Sequence, residues 1–171
     1  MKIRVLQASD AHPYQQLRLS GLRNDPDAFG STYDREVLFS LGTIADRIKP
    51  NDDKFALGAF TEQDELVGIV TFVRDSSLKT AHKGNIYGMY VSPEHRSRGI
   101  GKLLLQELLA KAQAHDGLEQ INLTVVSTNP AAKRLYQSVG FETYGVERNA
   151  LKFNDRYFDE DLMTIHFGGK Q

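Results

Sequence analysis

A glycine-rich, basic turn at residues 92–102 lies between a strand-like run and an amphipathic helix. β-Branched and aromatic residues precede the turn, and apolar residues follow it at helical spacing from Ile100 onward. Backbone N–H groups at such a helix start converge on one anion, and Gly99 and Gly101 let that anion approach the main chain. The sequence therefore predicts a turn that binds phosphate groups.

Positive charge accompanies these glycines, at Arg96, Arg98 and Lys102. Charge-assisted hydrogen bonds contribute about 1.5–3 kcal/mol each, more than the roughly 0.3–1 kcal/mol of a helix dipole. Two common phosphate motifs are excluded, because a Walker loop requires glycine at the position of Arg96 and a dinucleotide fingerprint requires glycine at Leu104. The turn belongs to another class of phosphate site.

A second motif spans residues 129–141, after the strand-like run 121–126. Asn129 suits a helix N-cap, Pro130 the first helical position and Gly140 the residue after the helix end. This pattern predicts a short strand–helix–strand unit.

Together the motifs Arg-x-x-Gly-x-Gly and Asn-x-x-Ala-x-x-Leu-Tyr-x-x-x-Gly-Phe resemble the Gcn5-related N-acetyltransferases, over residues 85–145. The resemblance implies an acyl-CoA N-acyltransferase fold and acetyl-CoA as acetyl donor. It also implies a set of donor-binding residues. The turn would hold the pyrophosphate and the strand before it would pair with the pantetheine arm. Asn129 would either only cap its helix or also contact the donor. The turn residues are Arg96, Ser97, Arg98, Gly99, Ile100, Gly101 and Lys102, and the strand residues are Met89, Tyr90 and Val91.

Composition narrows the class of protein. The chain has 171 residues, 40% of them apolar, and a net charge of −1, so we expect one domain over residues 1–171 and no nucleic-acid partner. It contains no cysteine, which closes the Cys-acyl route and favours direct transfer. The five histidines lack ligand spacing, so no metal is expected. Without an apolar leader or membrane segment, a soluble cytoplasmic protein is predicted.

Periodicity predicts an α/β fold with a mixed, mostly antiparallel sheet of about seven strands and four helices. The predicted strands cover residues 2–7, 54–61, 66–74, 85–92, 120–127, 141–148 and 162–167. The predicted helices cover residues 10–23, 37–48, 100–115 and 130–139. By resemblance, the fourth and fifth strands splay apart. A turn at Asn154-Asp155 is expected to form a hairpin before the last strand.

Acetyl transfer to an amine requires a proton acceptor, because an amine with a pKa near 10 is only about 0.1% neutral at pH 7. Many family members use a carboxylate near the fourth strand, but residues 85–91 contain none, which leaves the base unassigned. Glu36 and Tyr87 are candidates, with a solvated helix face and core packing as their respective alternatives. By resemblance, Tyr136 protonates the departing thiolate, and its alternative is a tyrosine that only packs.

The sequence says less about the residues that bind the amine acceptor than about those that bind the donor. Phe29, Tyr33, Glu36 and Tyr87 are candidate acceptor-binding residues, and the acidic residues 159–161 either attract a cationic acceptor or form a solvated loop. Three functions stay open: an N-acetyltransferase for a small-molecule amine, which leads; one for a protein N-terminus or lysine; and a non-catalytic acyl-CoA-binding module. A homodimer is possible, since dimers are common among soluble oligomers.

Overall fold

The computed structural model describes residues 1–168, which form a seven-stranded sheet with helices on both faces. In chain order the elements are β1 (Lys2–Val5), α1 (Ala11–Asn24), α2 (Tyr33–Glu36), α3 (Leu41–Ile48), β2 (Lys54–Phe60), β3 (Leu66–Arg74), β4 (Lys83–Val91), α4 (Ile100–Gln113), β5 (Gln120–Val126), α5 (Pro130–Ser138), β6 (Glu142–Phe153) and β7 (Arg156–His166). Short 3-10 helices occupy Ala8–Asp10, Pro26–Ala28 and Pro93–His95.

The sheet has the strand order β1-β2-β3-β4-β5-β7-β6, and every neighbouring pair is antiparallel except β4 and β5. That parallel pair is short, because it ends at Asn85 and Asn122 after three residue pairs. Beyond this point β4 continues beside β3 and β5 continues beside β7, so the two strands splay apart. The predicted mixed sheet and its central splay are both confirmed.

Two apolar cores lie on opposite faces of the sheet. On one face α4 packs Leu104, Leu105 and Leu108, all fully buried, against inward-facing residues of the strands. On the other face α1 and α3 cover the sheet, with Tyr14 and Ile44 among the buried residues. Each strand near the centre is therefore buried on both faces, which explains why β2 and β3 are nearly continuous apolar runs.

The predicted helix over residues 37–48 is wrong in its first turn. The chain instead forms the single turn α2, then an irregular connection, and restarts at α3 after the N-cap Ser40, whose side chain accepts from the Thr43 amide. Val37 and Leu38 fall in the connection and are 40% and 82% exposed. Because α3 begins only after its capping serine, the apolar residues before Ser40 do not belong to the apolar face of that helix.

The C-terminal strands are longer than predicted. β6 and β7 form one hairpin, with a turn at Asn154 and Asp155, which both adopt positive φ. The turn was predicted correctly. The strands were predicted too short because much of β6 is exposed and lacks an apolar pattern. No helix in residues 1–168 is long and apolar enough to cross a membrane.

Candidate active site

The turn between β4 and α4 has the conformation expected of an anion site. Ser97 and Gly99 adopt positive φ values of 61° and 77°, and Gly99 is the N-cap of α4. Within residues 1–168, no backbone carbonyl accepts a hydrogen bond from the amides of residues 97–102. These amides at a helix start are the donors that a pyrophosphate requires.

Arg96 is engaged within the protein. Its Nε donates to the Val91 carbonyl at 2.9 Å, its Nη2 donates to Asp25 Oδ2 at 2.6 Å, and its guanidinium lies over the Tyr90 ring. An anionic ligand must therefore compete with Asp25 for this side chain. Arg98 is exposed and is not among the residues that line the neighbouring cavity.

We call the space beside this turn the donor cavity; its volume is about 460 Å³. It brings together all of the predicted donor-binding residues except Arg98, and Tyr136 as well. The lining residues predicted from the sequence are Met89, Tyr90, Val91, Arg96, Ser97, Gly99, Ile100, Gly101, Lys102, Asn129 and Tyr136. Asn129 also caps α5 as predicted, because its side chain accepts from the Ala132 amide at 3.2 Å.

Gly101 keeps part of the donor cavity open. A Cβ atom at this position would lie 3.0 Å from Leu135 Cδ2 and 3.1 Å from Met89 Cε. All three residues line the cavity, so a larger side chain would fill space between α4, α5 and β4. Glycine is favoured here because a side chain would push against Leu135 and Met89, whereas at Gly99 the positive φ favours it.

Tyr136 lies on α5, where the donor cavity meets a second cavity. The residue is 8% exposed, and its ring packs edge-on against Phe141. Burial raises the pKa of Tyr136 to about 12. The phenol is therefore protonated throughout the neutral range and can act as a proton donor but not as a base.

We call the second space the acceptor cavity; its volume is about 280 Å³. It shares Ala28, Phe29, Met89 and Tyr136 with the donor cavity, so the two spaces adjoin. Its remaining lining residues are Arg18, Gly30, Ser31, Arg47, Ile86, Tyr87, Gly88, Thr124 and Glu160. The cavity thus opens at the splay of β4 and β5.

Of the four residues predicted to bind the acceptor, two line the acceptor cavity and two do not. Phe29 and Tyr87 line the acceptor cavity, and Tyr87 is 56% exposed, so core packing does not explain it. Burial and the charge of Asp75 raise the pKa of Tyr87. Tyr33 instead lies in a different pocket and accepts a hydrogen bond from Arg23.

Glu36 does not lie on the acceptor cavity. The residue is 1% exposed and forms ion pairs with Arg18 at 2.9 Å and Arg47 at 3.1 Å. Burial alone would raise the pKa of Glu36, but the hydrogen bond and charge of Arg18, together with Arg47, hold it below its usual range. A carboxylate held ionised in this way is a poor proton acceptor, and the predicted solvated helix face is also wrong.

Glu160 is the carboxylate that does line the acceptor cavity. Burial and the neighbouring charge of Glu147 raise its pKa, while a hydrogen bond with Thr124 lowers it. Glu147 lies directly opposite on the adjacent strand β6. Residues 159–161 were predicted either to attract a cationic acceptor or to form a solvated loop, and the loop is wrong because they lie in β7. The signal for a cavity-lining carboxylate is that alternate residues of a strand face the same side.

No cluster of three or more potential metal ligands occurs within residues 1–168. The site is built instead from main-chain amides, a buried phenol and a half-buried carboxylate. Such a set can bind an anionic donor and move protons to and from an acceptor.

Comparison with known proteins gives a consistent assignment. A sequence model of the Acetyltransferase (GNAT) family matches residues 20–141. The acetyltransferase of the GNAT family from Streptococcus pneumoniae superposes with a TM-score of 0.86 at 26% identity, covering 97% of this chain and 99% of that one. A phosphinothricin acetyltransferase from Sinorhizobium meliloti, solved with acetyl-CoA, has a TM-score of 0.83 at 22% identity, covering 98% of this chain and 88% of that one, which shows the fold alone.

Curated relatives match over shorter stretches. A spermidine N(1)-acetyltransferase from Vibrio cholerae is 28% identical over 103 residues, which are 60% of this chain and 58% of that protein. The [ribosomal protein bS18]-alanine N-acetyltransferase of Escherichia coli is 28% identical over 83 residues, 48% of this chain and 55% of that protein. The chain therefore spans little more than half the length of these relatives. Since the family match covers most of the chain and the donor turn has the expected form, the protein belongs to the GNAT acetyltransferase family.

Proposed function

We propose that this chain, as a single catalytic domain, transfers the acetyl group of acetyl-CoA directly to the primary amine of a small molecule. The observation that carries the proposal is that the donor and acceptor cavities adjoin at Met89 and Tyr136. A thioester held in the first cavity and an amine held in the second would be neighbours. Proximity of this kind is a large part of the catalysis of a two-substrate reaction.

The residues of the donor cavity suit acetyl-CoA. The unengaged amides of residues 97–102, with Lys102 and Arg96, would hold the pyrophosphate, and the strand β4 beside the splay would pair with the pantetheine arm. Bound acetyl-CoA supplies an acetyl group activated as a thioester. Gly101 leaves the room that such a ligand needs between Leu135 and Met89.

Two side chains at the acceptor cavity each carry out one kind of proton transfer: one accepts a proton and the other donates one. Glu160, with its raised pKa, accepts the proton of the incoming ammonium, directly or through water. Tyr136, protonated at neutral pH, donates a proton to the sulfur that leaves and regains one from the nitrogen, which loses its second proton as the amide forms. Met89 lines both cavities, and its backbone N–H group would stabilise the developing oxyanion.

The size of the acceptor cavity supports a small-molecule acceptor over a protein. The cavity is about 280 Å³ and is bordered by the loop residues Ala28, Phe29, Gly30 and Ser31. An extended peptide would need an open groove instead. A non-catalytic binding module would have no use for the acceptor cavity or for the placement of Tyr136 beside it.

The first test is thermal stabilisation by acetyl-CoA, followed by coenzyme A release with a panel of amines. A ligand at 100 times its dissociation constant stabilises a protein by about 2.7 kcal/mol. Gly101→Ala should weaken this stabilisation, whereas the helical control Gly42→Ala should not, because a Cβ at Gly42 meets only Ser40 Oγ at 3.8 Å. Absence of any shift would contradict the proposal, and a shift without coenzyme A release from any amine would favour a binding module.

The cytoplasmic location and the homodimer stay predictions. Sedimentation at micromolar concentration distinguishes a monomer of 19.2 kDa from a dimer.

A further inference from the structure

Three charged side chains form a buried cluster beneath the loop that borders the acceptor cavity. Arg18 Nε donates to Glu36 Oε2 at 2.9 Å and Arg18 Nη2 donates to Oε1 at 3.3 Å. Arg47 Nη1 donates to the same Oε1 at 3.1 Å. We call these residues the Arg18–Glu36–Arg47 cluster. Two guanidinium groups share one carboxylate, so the cluster carries a net charge of +1.

The cluster leaves one hydrogen-bond donor of Arg18 without an acceptor among residues 1–168. Its side chain is 9% exposed, and its Nη1 atom is buried without a hydrogen-bond partner among residues 1–168. A buried donor without a partner costs about 1–3 kcal/mol, and more when the group is charged. A ligand that supplies the missing acceptor would remove this cost when it binds.

Both arginines of the cluster line the acceptor cavity, whereas Glu36 does not. Arg18 Nη1 lies 3.7 Å from the position that a Cβ on Gly88 would take, at the splay of the sheet. Arg47 is the more accessible of the two, with 43% of its side chain exposed. Only Nη1 of Arg47 donates to a residue of the described chain. The excess positive charge therefore faces the cavity.

Glu160 lies on the other side of the same cavity. It belongs to β7 and lines the cavity together with Thr124 of β5, whereas the arginines come from α1 and α3, which pack on the β4 side of the splay. The acceptor cavity thus has a cationic wall and an acidic wall. A simple amine would complement only the acidic wall.

We propose that the acceptor is a small amine that also carries a carboxylate, a molecule of the amino-acid class, with its carboxylate bound by Arg18 and Arg47 and its amine directed to Glu160 and Tyr136. The inference rests on the proposed acetyltransferase function and specifies its substrate class. A guanidinium binds a carboxylate through paired, charge-assisted hydrogen bonds, which fits two arginines with unused donors.

Access to Arg18 requires a small movement. The Phe29 ring lies over the Arg18 guanidinium, with 4.8 Å between the Arg18 Cζ atom and the ring centroid. Phe29 belongs to the loop after the 3-10 helix Pro26–Ala28 and is half-buried. The carboxylate would meet Arg47 first, and a shift of Phe29 would then open Arg18 Nη1.

The test compares matched trios of acceptors: an amino acid, its carboxamide and the amine that lacks the carboxyl group, for leucine, phenylalanine and glutamate. We expect kcat/KM from coenzyme A release to be at least tenfold higher for the amino acid of a preferred trio. An equal or higher value for the amide and the plain amine in every trio would overturn the inference and leave the acetyltransferase function intact. No acetyl-CoA binding and no release with any acceptor would overturn both.

Variants separate recognition from folding. Arg47→Gln should lower kcat/KM for the amino acid at least tenfold and change the value for the plain amine less than threefold, because only the carboxylate loses a partner. Arg47→Lys should restore part of the loss. Arg148→Gln, at an 85% exposed arginine outside the acceptor cavity, is the control and should change neither value. Equal losses for both acceptors would indicate a structural role and contradict the inference.

A binding measurement gives a second readout that does not require turnover. The N-acetylated amino acids and their carboxamides would be titrated into protein saturated with coenzyme A. We expect the acids to bind at least tenfold more tightly than the amides, and Arg47→Gln to remove this difference. Equal affinities for acid and amide, or no binding of either, would refute the carboxylate site.

Discussion

Arg96 and Asp25, separated by 71 residues in sequence, form an ion pair of 2.6 Å at the donor cavity. Both residues line that cavity, and both side chains are partly exposed. The Asp25 carboxylate thus accepts a hydrogen bond from an Arg96 N–H group that a pyrophosphate would also use. It also places a negative charge where a dianionic ligand would bind.

Asp25→Asn should therefore tighten acetyl-CoA binding about two- to fivefold. The expected gain is modest because an exposed ion pair contributes only about 0.2–1 kcal/mol. Isothermal titration at low ionic strength measures the change, which should shrink as salt is added. Asp27→Asn is a matched control, since Asp27 is exposed two residues away and does not line the donor cavity. Weaker binding of acetyl-CoA by Asp25→Asn would refute this interpretation of the pair.

Tyr136→Phe should lower kcat at least tenfold with less than a twofold change in acetyl-CoA affinity. The substitution removes the hydroxyl that we propose donates to the leaving sulfur, and it keeps the ring that packs on Phe141. Steady-state kinetics and titration with acetyl-CoA give the two quantities. Tyr144→Phe, at a 60% exposed tyrosine on β6, should change neither. An unchanged kcat in Tyr136→Phe would exclude the proposed role.

Glu160→Gln should lower kcat/KM at least tenfold at neutral pH and remove the acidic limb of the pH–rate profile. In the parent protein that limb should lie above the ordinary range of a glutamate, because burial and Glu147 raise the pKa of Glu160. Activity falls as the pH drops through this pKa, since the protonated carboxyl cannot accept a proton.

The cross-strand neighbour provides a sharper test of the same assignment. Glu147→Gln removes the like charge opposite Glu160, so the acidic limb should move to lower pH while the plateau rate is kept. Glu142→Gln, on the same strand but opposite Thr164, should leave the profile unchanged. A pH–rate profile that is the same in Glu147→Gln as in the parent protein would indicate a different base.

Glu36→Gln should destabilise the protein by about 3 kcal/mol, because it leaves two guanidinium groups without their shared counter-charge. The pKa of Glu36 is lower in the folded protein than in the unfolded chain. Its stabilising contribution is therefore complete above the unfolded pKa and is lost as the pH falls through the folded pKa. Urea unfolding at pH 7 and at pH 3–4 measures this, and the difference between parent and variant should shrink at the lower pH. Asp34→Asn, at an exposed site, is the control.

Local patterns predicted which residues lie together beside the turn, while their binding of acetyl-CoA stays a prediction. Residues 92–102 and 129–141 are contiguous segments whose conformation depends on glycine, proline and capping residues, and the structure places almost all of their predicted contacts in one cavity. The resemblance to a family added the splay of the fourth and fifth strands, which periodicity alone does not determine.

The acceptor site depended on contacts between residues far apart in sequence. Glu36 was read as a solvated or catalytic carboxylate because its partner Arg18 is 18 residues away, on another helix. Glu160 and Tyr136 share a cavity only because β7 inserts between β5 and β6. Tertiary packing, rather than local sequence, decides which carboxylate is buried and which side chains lie beside it.

The parallel pairing of β4 with β5 stops after Asn85 and Asn122, and this has a consequence for solubility. Main-chain groups on the open sides of both strands form an edge inside the sheet, of the kind that recruits foreign strands when it is accessible. Here Phe29 and residues of α5 line the space beside the opening. We expect these side chains to keep a strand of another protein from pairing there, which would let the protein keep unpaired main chain at its centre without aggregating.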